Sequence, residues 1–451
     1  MHVDVVETPE LGDRSYIVSD DGVAIVIDPQ RDIDRVLDAA ASRGARITHV
    51  LETHIHNDYV SGGLELARRT RATYVVGASE QLAFDHTPVS DGDLLVTGAM
   101  RVRVVATPGH TPGHLSYLVA DGEGDVAAAF TGGSMLFGAV GRTDLVGPRD
   151  TRPLAHQQYR SVRRLAALLP DGADVHPTHG FGSFCAATAA TSSASTAARQ
   201  RRENPALRTD DEECFVTELL AGYTAFPSYY AHMAPLNRAG PPPLEWAPVP
   251  VAGASELARR CDAGEWVVDV RHRRVFAHRH LPGTVNVELI NPFATYLGWV
   301  MPWGAPLSLV ADTPADIDRA RLALSRIGVD HVATVAVGST SVWHAAGSYR
   351  VAGFADLATE PDAIVLDVRR RDEVAAGRLP GSIHIHLADL PGREAQVPVG
   401  EVWVHCASGF RAAIAASLMA RAGRTVVLVD DDWERAEAAG CRVERLSAAR
   451  R

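Results

Sequence analysis

The chain has 451 residues, a net charge of −11, 46% hydrophobic and 22% charged residues, and five scattered cysteines. That length predicts two to four domains with well-buried cores, and the acidic balance argues against nucleic acid or an anionic membrane as the main partner. No apolar run approaches about 18 residues and no basic-then-apolar leader is visible, so no membrane span or export signal is expected. The odd cysteine count fits a reducing cytoplasm.

Up to about residue 240 the chain alternates short strands with helices. Strands are predicted at Ala24–Asp28, Val102–Ala106, Leu115–Val119 and Asp125–Phe130, and helices at Ile33–Arg43, Leu64–Arg69 and Leu154–Leu169. Residues 183–200, rich in Ala, Ser and Thr, read as a helix. The aromatic, proline-containing segment Phe226–Arg238 reads equally well as core or as an interface. From Arg238 to Pro250, five prolines rule out a continuing helix or central strand and predict a stiff linker. After it the chain repeats itself at an offset of roughly a hundred residues, the scale of a small domain. Trp266–Arg271 with His280–Val285 reappears as Ile364–Arg369 with Arg378–Ile383. Each copy alternates buried strands with helices, the pattern of a parallel sheet covered by helices. The expected organisation is a domain at 1–240, a linker at 241–251, and two related domains at 252–346 and 350–451.

Thr53-His54-Ile55-His56-Asn57-Asp58-Tyr59 follows the apolar run Ile47–Leu51 and carries two histidines and an aspartate at alternate positions. Alternate residues of an extended segment point the same way, so one cation could meet all three. A second loop, Thr107-Pro-Gly-His110-Thr-Pro-Gly-His114, adds His110, and Pro177-Thr-His179 adds His179. His49, His114 and His176 read as packed residues, and the basic run containing His272, His278 and His280 reads as solvated surface.

Together the histidine loops, Asp28-Pro29 and Gly141-Arg142-Thr143-Asp144 resemble the metallo-β-lactamase superfamily, and within it the persulfide dioxygenases. The resemblance covers roughly residues 1–200. It implies an αββα sandwich with metal at the sheet edges. It also implies a single Fe(II), with Zn as the alternative, held by His54 and His110 and oxidising glutathione persulfide to sulfite. By position, Arg142 would contact glutathione carboxylates through its guanidinium fork. Two departures stand out. Gly133 occupies the place of the family's aspartate ligand, and Tyr59 that of a histidine. Both changes count against a two-metal site. Three readings stay open: three histidines (His54, His56, His110) around one metal, Asp58 completing an iron site with His179 nearby, or a domain that binds metal poorly.

Glu401–His405, then Cys406-Ala-Ser-Gly-Phe-Arg411, reads as strand, tight loop and helix, with Cys406 at the helix N-terminus where backbone N–H groups favour a thiolate or anion. With Asp367-Val-Arg369 upstream, residues 352–446 resemble a rhodanese domain. The resemblance implies that Cys406 carries sulfane sulfur as a persulfide, assisted by Arg411, with Ser408 and Gly409 lining the bound sulfur. Four residues separate Cys406 from Arg411, one fewer than in phosphatases of related architecture, which favours sulfur over phosphate. In the first copy Ala311 stands at the cysteine position, and that copy is expected to be an inactive spacer or docking domain. The whole order resembles the bacterial persulfide dioxygenase–rhodanese fusions. It implies glutathione and thiosulfate as small-molecule partners, with a homodimer left open. The alternatives are a sulfurtransferase with a non-catalytic first domain, or a glyoxalase II-like hydrolase.

Overall fold

The computed structural model describes residues 1–122, 124–186, 194–338 and 346–445. The chain forms two compact units, Met1–Glu245 with Ser325–Gly328, and Trp246–Leu324 with Val329–Arg451.

The first unit opens with strands β1 (His2–Thr8), β2 (Asp13–Asp20) and β3 (Val23–Ile27), helix α1 (Asp34–Ser42), β4 (Arg46–Leu51), helix α2 (Gly63–Thr70), β5 (Thr73–Gly77) and β6 (Thr87–Val89). The six strands make one sheet in sequence order, antiparallel from β1 to β3 and parallel from β3 to β6. A second sheet holds β7 (Leu94–Thr97), β8 (Met100–Ala106), β9 (Leu115–Asp121), β10 (Val126–Gly132), β11 (Asp174–Pro177) and β12 (Ser195–Thr196), with helix α3 (Thr151–Leu168) between β10 and β11. In β8, Met100, Val102 and Val104 are buried while Arg101 and Arg103 are exposed, a two-residue alternation that gives the strand one core face.

Tyr16, Ile25, Ile27 and Leu51 of the first sheet pack against Val102, Val104, Tyr117 and Phe130 of the second. The outer face of the first sheet buries Val26, Val50 and Val76 beneath α1 and α2, and α3 covers Val105, Leu118, Ala129 and Val175 on the other side. The result is the expected four-layer αββα sandwich, with the loops that follow β4, β8 and β11 carrying the histidine motifs.

The unit ends with four short helices, α4 (Ala197–Glu203), α5 (Pro205–Arg208), α6 (Glu212–Ala221) and α7 (Tyr230–Ala239). The helix predicted over 183–200 is therefore corrected. Residues 187–193 lie outside the described residues, Ser195–Thr196 pairs with β11, and the helix starts only at Ala197, capped by the Thr196 hydroxyl. Phe226–Arg238 is part of this unit's core, with Tyr230, Met233 and Asn237 buried.

The second unit contains two all-parallel sheets. The first has β13 (Trp266–Asp269), β14 (Val285–Asn286), β15 (Leu307–Ala311) and β16 (Thr334–Val337) in the order β14-β13-β15-β16. Its helices are α8 (Ala254–Asp262), α9 (Arg273–His278), α10 (Phe293–Val300) and α11 (Pro314–Arg326). The second has β17 (Arg350–Ala352), β18 (Ile364–Asp367), β19 (Ile383–His384), β20 (Glu401–His405) and β21 (Thr425–Val429) in the order β17-β21-β20-β18-β19, with α12 (Phe354–Leu357), α13 (Arg371–Ala376) and α14 (Phe410–Arg421). Strands covered on both faces read as continuous apolar runs, as Trp266–Asp269 and Val426–Val429 do. His280 is a further correction. It is 5% exposed, stacked on Phe276 with centroids 4.1 Å apart, and its Nδ1 donates to the Phe276 carbonyl, so it is core and not solvated surface. Among the described residues no helix is long and apolar enough to cross a membrane.

Candidate functional site

The loops after β4, β8 and β11 converge and bury His54, His56, Asp58, His110 and His179 together. His54, His110 and His179 offer ligand atoms that all lie within 4.8 Å of one another. His56, Asp58 and His179 form a second such group, and Asp28, His54 and His56 a third.

The outer partners show which ring nitrogens face inward. The Thr53 hydroxyl donates to Asp28 Oδ2 at 2.6 Å, so its oxygen accepts from His54 Nδ1 at 2.9 Å, which turns the His54 Nε2 lone pair inward. His110 Nδ1 donates to the Arg142 carbonyl at 2.7 Å, and its buried Nε2 has no hydrogen-bond partner. His179 Nδ1 donates to Asp13 at 2.9 Å and lies 3.2 Å from Asp58, while its Nε2 stands 3.3 Å from His54 Nε2. Three Nε2 atoms thus converge, each on a ring held from behind by an oxygen.

Charge follows the same geometry. Burial and the neighbouring imidazoles press His54 well below the ordinary histidine value, and burial brings His110 down to about 3, so both stay neutral donors. Burial also opposes charge on His179, but Asp58 and Asp13 overcome it and hold that ring well above the ordinary value. Burial, then the Asp58 charge, pushes Asp13 up to about 8. A cation among the three Nε2 atoms would take over the role of that extra proton. Neutral imidazoles backed by oxygens suit Zn or Fe(II), so the residues present fit a divalent metal.

His56 is oriented differently. Its Nε2 lies 2.9 Å from the Tyr59 hydroxyl, 3.3 Å from Asp28 and 3.4 Å from Glu52. Burial opposes charge there, yet the two carboxylates hold the ring up at about 9. Its Nδ1, without a hydrogen-bond partner, lies 4.0 Å from Asp58. His114 is packing, as expected, because Nδ1 meets Thr107 and Nε2 accepts from the Gly133 amide at 2.9 Å.

Arg142 departs from expectation. It is 2% exposed, binds Asp144 through Nε and Nη2, and donates to the Phe184 and Thr224 carbonyls. Its fork braces the loop beneath His110 and is not offered to a substrate carboxylate. Asn237 of α7 was not anticipated. Its amide donates to the His56 and Tyr59 carbonyls at 3.0 and 2.9 Å and accepts from the Ser61 amide at 2.9 Å. Asp13 and Asn237 sit in no motif, and only the fold brings them to the loop, whereas Glu52 directly precedes it.

In the second unit, β20 ends at His405 and the loop turns through Gly409, at φ +85°, into α14. Cys406 is buried at 1% exposure and Ser408 is exposed. Arg411 places Nη1 and Nη2 on the Glu373 carboxylate at 2.6 and 2.7 Å. Asp367 pairs with His405, and in the first copy Asp269 pairs with Val310 in the same register. Ala311 therefore stands where Cys406 does. The first copy packs against the second, with Tyr296 of α10 edge-on to Phe410 at 5.6 Å and Trp299 against His386 at 5.2 Å.

Comparison with known proteins fits this arrangement. Residues 10–179 match the model of the metallo-beta-lactamase superfamily, and residues 351–439 match the rhodanese-like domain. The chain is 31% identical over 205 residues to a hydroxyacylglutathione hydrolase of Methylococcus capsulatus, covering 44% of this chain and 75% of that protein. It is 31% identical over 170 residues to the Acidiphilium cryptum protein of the same name, covering 37% of this chain and 65% of that one. The chain thus spans less than two thirds of the length of that relative. A solved metallo-beta-lactamase from Staphylococcus aureus subsp. aureus COL superposes with a TM-score of 0.68 at 26% identity, over 75% of this chain and 99% of that one. The chain belongs to the metallo-beta-lactamase superfamily through its first unit and carries a rhodanese-like domain in its second.

Proposed function

We propose that this chain is a sulfur-metabolism enzyme with two sites: a mononuclear metal site that processes a glutathione-linked sulfur substrate, and a sulfurtransferase working through Cys406. The observation that carries the reading is Cys406 buried at the N-terminus of α14 within the matched rhodanese-like domain. There the Cys406 thiolate forms a bond to the outer sulfur of a donor. The donor's S–S bond breaks and its electron pair leaves with the remaining fragment. An acceptor thiolate or sulfite then takes that sulfur and releases Cys406. The N-terminus of α14 offers its dipole to the sulfur carried on Cys406 between these steps. Glu373 and Arg411 clamp the start of α14 to α13 and keep the loop rigid.

In the first unit, His54, His110 and His179 are the residues that would hold the metal, with Asp58 beside them. A divalent metal held there supplies a Lewis-acid or redox centre. The chain's own groups anchor the rings, keep His54 and His110 neutral, and exclude bulk water by burial. Oxidation of glutathione persulfide is the finer reading. It predicts O2 uptake with that substrate by the wild type and none by His110→Ala. Cys406→Ser should abolish sulfur transfer from thiosulfate to a thiol while leaving O2 uptake intact, and retained transfer removes Cys406 from the mechanism.

A second reading, thioester hydrolysis, is favoured by the hydroxyacylglutathione hydrolase relatives. Gly133 counts against it, because no carboxylate bridges two metals there. Turnover of S-lactoylglutathione by the wild type would reinstate this reading.

A further inference from the structure

We infer that the cysteine-free copy positions the Cys406 loop: Arg273 and Arg274 hold Asp430, and Asp430 holds Gly409. This rests on the sulfurtransferase reading of Cys406 and assigns a task to residues of the other copy.

Asp430 immediately follows β21. Its backbone N–H donates to the Ala352 carbonyl at 2.9 Å, which fixes the residue to the sheet. The side chain is 2% exposed and lies directly over Gly409. A Cβ at Gly409 would fall 2.1 Å from Asp430 Oδ1 and 3.1 Å from Asp430 Cα. Gly409 precedes α14 and lies three residues after Cys406, so the carboxylate presses on the turn that aims the cysteine at the helix N-terminus.

A buried carboxylate needs a compensating charge. Here the charge comes entirely from the first copy among the bonds described. Arg273 Nε donates to Asp430 Oδ1 at 2.7 Å, and Arg274 Nε donates to Oδ2. Burial opposes ionisation of Asp430, yet the two guanidinium groups outweigh it and hold the carboxyl below its ordinary range. Arg273 is itself braced by Glu288 at 2.6 Å, and the Arg274 amide is capped by His272 Nδ1. The opposite side of the loop is also held by this copy, through Tyr296 against Phe410. Further along α14, the Asn286 amide donates to the Ser417 hydroxyl at 3.0 Å, and Arg421 donates to the Gly264 carbonyl at 2.9 Å.

Removing the two arginines would leave an uncompensated carboxylate against the loop, where it would compete for the N–H groups meant for the cysteine and its sulfur. These are therefore positioning residues. The copy that lost its nucleophile keeps the loop of the other in working shape.

The test uses the full chain and two readouts, steady-state sulfur transfer from thiosulfate and the rate of Cys406 alkylation by iodoacetamide. Arg273→Ala/Arg274→Ala should lower kcat and the alkylation rate at least tenfold, with KM for thiosulfate within twofold, when assayed well below its lowered melting temperature. Adding Asp430→Asn to that pair should restore both readouts to within threefold of wild type, because the stranded charge is gone. Arg273→Lys/Arg274→Lys should retain most activity. Wild-type kcat in the double variant overturns the proposal, as does a triple variant no better than the double. If the double variant does not fold, the exposed Arg274 decides: a fall of threefold or more in the alkylation rate of Arg274→Ala, reversed by adding Asp430→Asn, supports the proposal, and a smaller or unreversed fall overturns it. Alkylation reports on the loop even if the wild type transfers no sulfur, which separates this proposal from the function it rests on.

Discussion

The ring of His110 lies where a side chain at Gly133 would have to stand. A Cβ at position 133 would fall 2.2 Å from His110 Cδ2 and 2.6 Å from its Cγ. Gly133 therefore leaves no vacancy, since the His110 imidazole fills the space a side chain there would need. Gly133→Ala should force that ring aside at a cost of about 1–3 kcal/mol, as overpacked cores do. The expected outcome is a lower melting temperature and weaker metal retention, with Cys406-dependent transfer unchanged. Unfolding curves and metal content check it, and a variant indistinguishable from wild type on both would refute the packing argument.

Metal retention should also discriminate between a converging ring and the second ring of the HxH motif. His179→Ala removes one of three converging Nε2 atoms and should cost well over tenfold in metal affinity. His56→Ala should retain most of the metal, because its Nε2 is committed to Tyr59, Asp28 and Glu52. Metal analysis of the two variants, purified alike, gives the answer; the reverse order would reassign the ligand set.

Asn237 ties α7 to the motif loop through three hydrogen bonds. Leaving buried backbone groups without partners costs about 1–3 kcal/mol each. Asn237→Ala should therefore destabilise the first unit by a few kcal/mol and speed hydrogen exchange at residues 56–61. Unchanged exchange there would mean the loop is held by other means.

Acid should weaken the Glu373–Arg411 clamp in a defined window. Burial raises the Glu373 carboxyl, but Arg411 overcomes this and brings it from 4.5 to about 2. A depressed folded value means the stabilisation is complete above about pH 4.5 and fades as pH falls toward 2. The stability gap between wild type and Glu373→Gln should thus be constant near neutrality and shrink on acidification. A gap that stays constant from about pH 6 to about pH 3 would show that the pair contributes through shape alone.

Much of this architecture was legible from local pattern. The apolar run before His54 marks β4, and the alternation Met100-Arg-Val-Arg-Val104 marks β8. The repeat of Asp269-Val-Arg271 as Asp367-Val-Arg369 announced two parallel sheets, because each motif closes a buried strand. The HxHxD and TPGH loops identified four of the five clustered side chains, and Pro177-Thr-His179 the fifth. What stayed hidden depends on distance along the chain. Asp13 lies 166 residues from His179, and Asn237 lies 181 from His56, with no spacing rule to join them. Arg142 misled for a different reason. Its type suits an anion, but Asp144 two residues on was already its partner. The helix predicted at 183–200 failed because composition without caps does not locate a helix start; Thr196 does.

The duplicated Asp-Val-Arg motif carries one more consequence. Arg271 folds back on Asp269 and reaches the Arg279 carbonyl, while Arg369 folds back on Asp367 and reaches the Gly377 carbonyl, with matching bond lengths of 2.6–3.1 Å and 2.7–3.2 Å. One copy has Cys406 and Arg411; the other has Ala311 and, five residues on, Asp316. The motif therefore marks a joint between strand and helix that survives the loss of chemistry. Anyone counting active centres by that motif alone would count strand–helix joints instead, and would find two where only one is followed by a loop cysteine at the strand end, Cys406.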